Sequence, residues 1–503
     1  MTPDRTSNRP HEPLGGPLAM DPDAFRRQAH DAIERIIDYA QRVGDLPVRP
    51  PTRPGQVRAA VPETAPESEG GEAEWDAIGR DLDELVLPNT MHWQSPGFFG
   101  YFPCNTSGPA IIGELLCAGL GGQGMLWQTA PAANEIERAL LDQMARAFGL
   151  PDRFLSAGEL GGGCIQPTAS DSTLVALVAA RRRVLERTGA DPATLTVYAS
   201  NQAHSSVLKA AMIAGLARDA DDHARVRLIA TDARLRLDPD ALRDAVERDL
   251  EAGLTPCMVC GTIGTTGTTA VDPIDRIAGV MHKTAIAERG AWLHVDAAHA
   301  GVLLLCDEYR WMAAGLEHAD SLCVNPHKWL LTAFDCDLFW TADRRSLVGS
   351  LSVTPEYLRN EATESGEVFD YRDWGVPLGR RFRALKLWLV LRHYGLARLR
   401  GYLLEHVRLA ERFESWVLAD DRFELLAPRT MNLVCFALRS GDEGSRRLMD
   451  AVNETGRVFL THTAVPTADG DRFAIRLAVG AAATGEQHVR LAWDLLAEHA
   501  SRR

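Results

Sequence analysis

The sequence predicts an α/β protein built on a mainly parallel β-sheet, preceded by a helical segment and followed by a small α+β domain. From about residue 110 to residue 350, helical patterns alternate with short apolar stretches such as LTVYAS, PCMVCGTI and AWLHVDAA. Strands buried on both faces have continuously apolar sequences, and crossovers through helices imply parallel neighbours with helices on both sides of the sheet. After about residue 385, FELLAP, NLVCFAL and FAIRLAV have the pattern of strands between helices, which predicts the smaller domain.

The N-terminal part of the chain predicts helices separated by an extended linker. Residues 1–19 are rich in Pro, Arg, Asn and Gly without periodicity, which is typical of a disordered tail. Asp21 can cap and Pro22 can begin a helix, and the apolar residues of MDPDAFRRQAHDAIERIIDYAQRV recur at helical spacing. The Pro-rich and Glu-rich stretch 45–73 predicts a linker, and a second helix is expected over residues 75–86.

The central alternation defines the large domain. Its helical patterns include STLVALVAARRRVLERTG, HSSVLKAAMIAGL, PDALRDAVERDLEAG and PIDRIAGVMHKTAIAERG, and VRLIAT adds another strand. The predicted units are a tail over residues 1–19, an N-terminal helical segment over 20–107, a large α/β domain over 108–385 and a small α+β domain over 386–503.

Composition and charge argue against several classes of partner and location. The chain has 503 residues and a formal net charge of −14, so nucleic acid and anionic membrane surfaces would both repel it. It contains neither the pattern of an export signal nor an apolar run long enough to span a membrane. The nine cysteines lie mostly in apolar runs, as expected of reduced thiols in a cytoplasmic protein. Cys257 and Cys260 form a C-x-x-C pair inside a predicted buried strand, and with no second pair at zinc spacing no metal site is predicted.

Four chemically distinctive positions follow strands of the predicted parallel sheet. Asp296 follows AWLHV, His204 lies in NQAHSS after LTVYAS, the turn GTIGTTGTT follows PCMVC, and Lys328 lies in NPHK after DSLCV. Ligands of such sheets bind at the carboxyl ends of the strands, so these positions are candidate site residues. A buried lysine or aspartate without a partner is costly unless it loses its charge. The alternatives are that Lys328 reaches solvent at a helix start, that Asp296 pairs with a structural arginine and that His204 is an ordinary strand-end histidine.

A glycine-rich turn precedes the first long helix of the large domain. In GGGCIQPTASDSTLVALVAARR, Thr168, Ala169 and Ser170 stand immediately before the helical pattern. Backbone amides and hydroxyl groups at such a helix start can hold a phosphate, although the same residue types also cap helices without a ligand. The segment lacks the lysine of a Walker loop.

These features together match the requirements of pyridoxal phosphate. That cofactor needs a lysine for covalent attachment, an acid that keeps its pyridine nitrogen protonated, a group on the ring face and an anchor for its phosphate. Lys328, Asp296, His204 and the turn at Thr168 supply one candidate for each requirement.

With these residues in view, the chain resembles the aromatic-L-amino-acid decarboxylase family, the group II pyridoxal phosphate decarboxylases. The resemblance runs from about residue 20 to the C-terminus and rests on eight segments in family order and spacing. They are HWQSPGFFGYFP, GGGCIQPTASDSTLVALVAAR, NQAHSSV, GTIGTTGTT, WLHVDAAHAG, HADSLCVNPHKWLL, DYRDWGVPLGRRFRALKLW and LRHYG. The resemblance implies a fold-type I, aspartate aminotransferase-like large domain.

The resemblance also implies roles for individual residues. Lys328 would bind the cofactor covalently, Asp296 would pair with the pyridine nitrogen, and His204 would stack on the ring. Tyr357, in SVTPEYLRNEATESGEVFDYRDW, would lie on a closing loop and protonate the substrate carbon after carbon dioxide leaves. The other cofactor contacts would be Ala169, Ser170, Ser321 and Asn325 at the phosphate with Thr168 alongside, Thr262 beside the ring, and His327 orienting the cofactor.

The implied substrate slot is apolar and flat. Trp93, Phe102 and Pro103 would provide walls suited to an aromatic ring. The slot would also include Cys104, where a hydroxyl residue is common, Gln123 and Met125, which a partner subunit would supply, and Gly379. Gly379 resembles the glycine of indole-accepting plant members, so the expected order is tryptophan, then phenylalanine or tyrosine, then 3,4-dihydroxyphenylalanine. His299 stands where a tyrosine is common.

The resemblance implies a homodimer with active sites at the subunit interface and N-terminal helices that wrap the partner. An aldehyde synthase on the same scaffold is the nearest alternative, but such enzymes typically lose the loop tyrosine or the stacking histidine. Tyr357 and His204 are both present, which favours simple decarboxylation. A non-aromatic substrate such as diaminobutyrate or glutamate is a further alternative. A catalytically inactive binding protein would lack Lys328 or Asp296, and both are present.

Overall fold

The N-terminal segment forms helices with little core of their own. The computed structural model describes residues 20–67, 70–72, 74–353 and 368–501. The helices of this segment are α1 (Pro22–Arg42), α2 (Gln56–Ala60) and α3 (Glu74–Asp81), and a π-turn and a 3₁₀ turn continue α3 to Asn89. Asp21 caps α1 by accepting from the backbone N–H groups of Asp23 and Ala24, as the sequence predicts. Ala24 is the one buried residue of α1.

The large domain is built on a mixed sheet that contains seven strands within the described residues. The strands are β1 (Gly162–Gln166), β2 (Leu195–Ser200), β3 (Val226–Ile229), β4 (Thr255–Thr262), β5 (Trp292–Asp296), β6 (Ser321–Val324) and β7 (Asp337–Thr341). Their order is β1-β7-β6-β5-β4-β2-β3, and β7 runs antiparallel to both its neighbours while the other pairs are parallel. The predicted mainly parallel sheet is therefore confirmed.

Helices cover both faces of this sheet. They are α4 (Gly108–Leu120), α5 (Pro131–Phe148), α6 (Ala169–Thr188), α7 (Ser206–Ile213), α8 (Pro239–Glu251), α9 (Ile274–Lys283), α10 (Pro326–Trp329) and α11 (Arg344–Leu351). Every residue of β1, β2, β5, β6 and β7 is buried, and separate apolar clusters fill the two sides of the sheet. This double burial explains why the strand sequences are apolar runs rather than alternating patterns.

The C-terminal part forms a small α+β unit around a second core. Its elements are α12 (Ala384–Leu418), β8 (Phe423–Leu425), β9 (Leu433–Leu438), α13 (Asp442–Glu454), β10 (Thr461–Thr467), β11 (Gly470–Ala478) and α14 (Glu486–Ser501). The strands form an antiparallel sheet in the order β10-β11-β9-β8. Gly395, with φ 68° and ψ 160°, breaks α12 between the part that packs on α4 and the part that packs on the small sheet. No helix in the described ranges is both long and apolar enough to cross a membrane.

Candidate active site

The sheet register brings polar residues from neighbouring strands to one edge. Thr262 ends β4 opposite Asp296 at the end of β5, and Asp296 lies opposite Cys323 of β6. Asp337 begins the antiparallel strand β7 and lies opposite Gln166, the last residue of β1. Side chains alternate between the two faces of a strand, so paired residues point to the same face. We call these five residues the carboxyl-edge row; the first turn of α6 lies at the same edge.

Asp296 is a buried carboxylate without a cationic partner in the described part of the chain. Asp296 is only 6% exposed. Asp296 Oδ1 accepts from the Ala298 N–H at 3.0 Å and from the Cys323 thiol at 3.9 Å. No arginine among the described residues forms an ion pair with Asp296, so the alternative of a structural arginine partner finds no support there. A buried carboxylate in this state fits a ligand that brings its own positive charge.

Lys328 lies on the short helix α10, which begins at Pro326 directly after β6. Pro at the first helical position favours the helix start, and the Asn325 N–H donates to the Ala298 carbonyl, which ties α10 to the end of β5. Lys328 is half-buried, and its Nζ lies 5.8 Å from the centroid of the Phe102 ring. No described residue forms a hydrogen bond or ion pair with Nζ, so the amine is available for a ligand.

His204 lines a cavity of about 510 Å³ together with Phe102 and Arg476. Its Nδ1 accepts from the Ser206 N–H at 3.1 Å, which leaves the proton of the neutral ring on Nε2. The surrounding protein displaces enough water to lower the pKa of His204, while Asp296 acts in the opposite direction and Lys328 adds to the lowering. His204 is exposed in the single chain and lines the cavity, so its imidazole faces the ligand space.

The first turn of α6 has free hydrogen-bond donors. Thr168 acts as a helix cap: its hydroxyl donates to Asp171 Oδ2 at 2.6 Å and its N–H to the same oxygen at 3.1 Å. The N–H groups of Ala169 and Ser170 and the Ser170 hydroxyl have no acceptor among the described residues. Free donors at a helix start suit a phosphate, whereas Thr168 is already occupied by its capping role.

Two buried oxygen atoms at this edge of the sheet, one in the carboxyl-edge row and one directly before α10, also lack hydrogen-bond partners among the described residues. Thr262 Oγ1 and Asn325 Oδ1 find no hydrogen bond among the described residues, although their residues are only 4% and 2% exposed. The Thr262 N–H is held by Asp272 Oδ2, and burial raises the pKa of Asp272 to about 7. Buried polar groups are normally paired, so unpartnered atoms at one edge indicate a missing ligand. The residues present therefore fit pyridoxal phosphate.

The structure does not bring Ser321 to this edge. Ser321 is the first residue of β6, and Val324 at the other end of the strand adjoins the site, about 10 Å away at the usual rise per residue. The Ser321 hydroxyl accepts from Trp292 Nε1 at 2.8 Å and also contacts His294 Nδ1 at 2.8 Å. It serves as a buried structural acceptor, and its assignment to the phosphate is corrected accordingly.

His327 is fixed by the segment that follows α10. Its Nδ1 lies 2.8 Å from the carbonyl oxygen and 2.9 Å from the backbone nitrogen of Cys336, and the Phe334 ring packs edge-on with its centroid 4.8 Å from the imidazole centroid. Burial lowers the pKa of His327 to about 4, and the Lys328 charge adds to the effect. A neutral, pinned ring holds α10 in place, and its predicted contact with the cofactor stays a prediction.

Of the predicted slot residues Trp93, Phe102, Pro103 and Cys104, Phe102 lies beside Lys328. Phe102 stacks on His299 with ring centroids 3.7 Å apart, and His299 in turn stacks on Trp329 at 4.9 Å. The neutral His299 ring donates from Nε2 to Asn432 Oδ1 over 3.0 Å, and burial lowers its pKa to about 3. Three further predicted residues complete the group. Trp93 stacks on Tyr101, and Pro103 packs against Gly480. The Cys104 carbonyl accepts from Gln94 Nε2, and burial raises the pKa of the Cys104 thiol.

The second group lies around the segment 371–380. Gln123 Oε1 accepts from the Arg380 N–H at 2.6 Å, and the Met125 carbonyl accepts from the Arg372 N–H at 3.0 Å. A Cβ at Gly379 would lie 3.2 Å from Gln123 Nε2. No hydrogen bond or ring contact within the described residues joins this group to Lys328 or Asp296. Tyr357, the predicted proton donor, lies outside the described residues.

Arg476 and Asp337 are buried ionisable residues that the sequence analysis did not identify. Arg476, in β11, is 3% exposed; it donates to the carbonyls of Thr266 and Gly267, and its Cζ lies 5.3 Å from the Phe102 centroid. No described carboxylate forms an ion pair with it, and burial lowers its pKa. An arginine inside the apolar run FAIRLAV was the available signal. A buried guanidinium facing the cavity suits an anionic substrate group.

Comparisons with known proteins find similar sequences and structures over nearly the whole chain. A family model described as the pyridoxal-dependent decarboxylase conserved domain matches residues 54–439. Phenylacetaldehyde synthase from Arabidopsis thaliana is 42% identical over 96% of this chain and 97% of its own length. Tryptophan decarboxylase 2 from Oryza sativa subsp. japonica is 42% identical over 96% of each chain. The crystal structure of Oryza sativa TDC with PLP and tryptamine has a TM-score of 0.91 at 40% identity, covering 97% of this chain and 99% of that chain.

Proposed function

The chain belongs to the pyridoxal-dependent decarboxylase family, the group II pyridoxal phosphate decarboxylases, and on that premise we propose that it converts an aromatic L-amino acid into the arylalkylamine and carbon dioxide. Its cofactor is pyridoxal 5′-phosphate. The observation that carries the proposal is the unpaired, buried Asp296 at the end of β5, on the same edge as the free amine of Lys328. The proposed substrate order is tryptophan, then phenylalanine or tyrosine, then 3,4-dihydroxyphenylalanine.

Each residue at the edge has a distinct task. Bound pyridoxal phosphate supplies an electron sink for the electron pair left on the α-carbon when the carboxylate departs as carbon dioxide. Lys328 Nζ holds the cofactor, and Asp296 keeps a proton on the pyridine nitrogen. Ala169, Ser170 and Asn325 hold the phosphate.

The cavity side of the site supplies the remaining tasks. His204 covers one face of the ring in its neutral form, because burial lowers its pKa. Arg476 orients the substrate by attracting its carboxylate, since no described carboxylate already pairs with the guanidinium. Tyr357 returns a proton to the α-carbon, a role that rests on its place in the sequence alone.

The aromatic substrate class is supported by the wall that Phe102 forms. Its ring lies flat on His299 and within 5.8 Å of Lys328 Nζ, so a flat substrate ring attached near that amine has an apolar face to pack against. Gly379 adds no side chain beside Gln123, and a Cβ there would already lie 3.2 Å from Gln123 Nε2, so the width of the slot at this point depends on the glycine. The tryptophan decarboxylase of Oryza sativa among the relatives is consistent with this order.

An aldehyde synthase is the second candidate, because a phenylacetaldehyde synthase is as similar to this chain as the decarboxylases are. His204 and Tyr357 favour simple decarboxylation. The test is a panel of aromatic and non-aromatic amino acids, including diaminobutyrate and glutamate, assayed for carbon dioxide, amine, ammonia and peroxide. Carbon dioxide and amine in equal amounts support the proposal. Peroxide and ammonia in step with carbon dioxide support the synthase, and reaction of non-aromatic substrates alone refutes the aromatic slot.

We further propose that the active enzyme is a homodimer with its sites at the subunit interface. Apolar side chains on α1 and α4 are each between 41% and 69% exposed in the single chain. They are Phe25, Ile33, Ile36 and Ile37 on α1, and Ile112, Leu115, Leu116 and Leu120 on α4. Contiguous exposed apolar faces of this kind are typical of subunit interfaces. Light scattering coupled to size exclusion gives the assembly mass directly.

A further inference from the structure

Asp337 is a second buried acid in the carboxyl-edge row, and the proposed reaction does not use it. Its residue is fully buried, and Ser172, in the first turns of α6, donates its hydroxyl to Asp337 Oδ2. Asp337 Oδ1 has no hydrogen-bond partner, and no lysine or arginine of the described ranges forms an ion pair with the carboxyl group. These surroundings strongly disfavour the ionised carboxylate and favour the protonated, neutral acid.

The end of the strand pair β6–β7 places a possible acceptor for that proton near Asp337. Val324 of β6 and Leu338 of β7 form the last pair of their ladder, and Asn325 and Asp337 are the next residues of the two segments at that end. Each of these two residues keeps one buried oxygen without a donor. A proton on Asp337 Oδ1 would provide a hydrogen-bond donor for Asn325 Oδ1. An ionised Asp337 would leave Asp337 Oδ1 and Asn325 Oδ1 both without a donor. The Asn325 amide N–H groups then remain free for the phosphate.

The charged and titratable groups around Asp337 come from every neighbouring element. Burial raises the pKa of Asp337 well above its usual range; the Ser172 hydrogen bond opposes this shift, and the Asp296 charge reinforces it. Lys328 on α10 lowers the pKa and Asp171 on α6 raises it. Three buried thiols complete the surroundings, Cys323 on β6, Cys164 on β1 and Cys336 directly before β7.

We propose that Asp337 is a positioning residue that stands as a neutral carboxylic acid below the phosphate seat and couples binding of the cofactor phosphate to uptake of one proton. This rests on the proposed function, because it places the phosphate at Ala169 and Ser170. A phosphate dianion arriving above Asp337 disfavours its carboxylate, which takes a proton from solvent to become the acid; no other bond changes. The coupling predicts that cofactor affinity falls as pH rises through the titration of Asp337 in the empty site.

The test compares the wild type with Asp337→Asn, whose amide has the shape of the neutral acid and keeps a donor for Asn325. The full-length protein is stripped of cofactor, and binding of pyridoxal 5′-phosphate is followed by tryptophan fluorescence and by calorimetry in two buffers of different ionisation enthalpy. Above neutral pH the wild-type affinity should fall by up to about tenfold per pH unit more than that of Asp337→Asn. The wild type should also take up a proton that the variant does not, and the two should bind alike at the acidic end.

Two controls separate this effect from others. Asp343→Asn removes a carboxylate just beyond the other end of β7 and should keep the wild-type profile. Pyridoxal, which lacks the phosphate, should show no Asp337-dependent proton uptake. Equal pH profiles for wild type and Asp337→Asn, or the same uptake with pyridoxal, would overturn the inference. If the wild type binds no pyridoxal phosphate at all, the proposed function fails instead.

A second variant keeps the inference testable if Asp337→Asn does not fold. Ser172→Ala removes the hydroxyl that stabilises the ionised form. The pKa of Asp337 should then rise further, and the loss of cofactor affinity should begin at a higher pH than in the wild type. A shift to lower pH, or no shift, would contradict the coupling.

Discussion

Replacing Asp296 by asparagine tests the charge that the reaction needs, with little change in shape. The Ala298 N–H now donates to Asp296 Oδ1 at 3.0 Å, and the asparagine carbonyl oxygen can accept the same bond. The side chain would then present an amide to the cofactor instead of a carboxylate. The fold and the phosphate contacts should persist, and only the stabilisation of the protonated pyridine nitrogen is lost.

The size of the effect follows from burial. Two unit charges about 4 Å apart interact by about 4 kcal/mol at an effective dielectric constant of about 20. Each 1.4 kcal/mol, roughly, is a factor of ten in rate, so the full interaction corresponds to about three orders of magnitude. Only the part that strengthens as the carbon–carbon bond breaks affects kcat. We therefore expect kcat to fall by about a hundredfold to a thousandfold.

The assay is carbon dioxide release from the best substrate of the panel, normalised to bound cofactor measured by its visible absorbance. Asp343→Asn serves as the control for loss of a partly buried carboxylate elsewhere in the same domain. A kcat for Asp296→Asn within tenfold of the wild type, at full cofactor occupancy, would refute the assignment of Asp296 to the pyridine nitrogen.

Three further predictions follow from contacts in the structure. Ser321→Ala should leave cofactor affinity unchanged while lowering the free energy of unfolding by about 1–3 kcal/mol, whereas Ser170→Ala should weaken cofactor binding by about tenfold with unchanged stability; fluorescence titration and urea unfolding separate the two. Gly379→Ser puts a side chain within 3.2 Å of Gln123 Nε2, so the ratio of kcat/KM for tryptophan to that for tyrosine should fall by about tenfold, and an unchanged ratio would remove both residues from the slot. Leu115→Glu on α4, which is 50% exposed in the single chain, should shift the protein towards monomers and abolish activity together, as seen by light scattering and carbon dioxide release; an active monomer would contradict the shared site.

Much of the fold could be predicted because its strands are buried on both faces and its helices have clear starts. The apolar runs gave the sheet, and Asp21 with Pro22 gave the start of α1. The positions of Asp296 and Lys328 could be predicted as well, because Asp296 ends one strand, Lys328 lies just beyond the end of the next, and sheet polarity brings such positions to one edge. Ser321 could not be placed in the same way, because DSLCVNPHK does not show which of its residues begins the strand.

Long-range contacts account for what the sequence left out. Arg476 lies more than 200 residues beyond the turn whose carbonyls it contacts, at Thr266 and Gly267. Periodicity reports which face of a strand is apolar, but it gives no information about which distant turn a buried arginine will meet. The unpartnered atoms of Thr262 and Asn325 are equally invisible in sequence, since an unsatisfied acceptor is defined by all its neighbours.

The two acids of the carboxyl-edge row show why residue type alone does not assign chemistry. Asp296 in HVDAA and Asp337 in DCDLF are both aspartates between apolar neighbours at the same edge of the sheet. In the proposed function Asp296 faces the pyridine nitrogen of the cofactor, and its negative charge is what the proposed reaction requires. Asp337 accepts a hydrogen bond from the Ser172 hydroxyl, and Asn325 nearby has an unpaired amide oxygen. A carboxyl group in this place is therefore suited to carry a proton. Two acids whose surroundings favour opposite protonation states are suited to different tasks, and the two proposals give Asp296 the pyridinium and Asp337 the response to the phosphate.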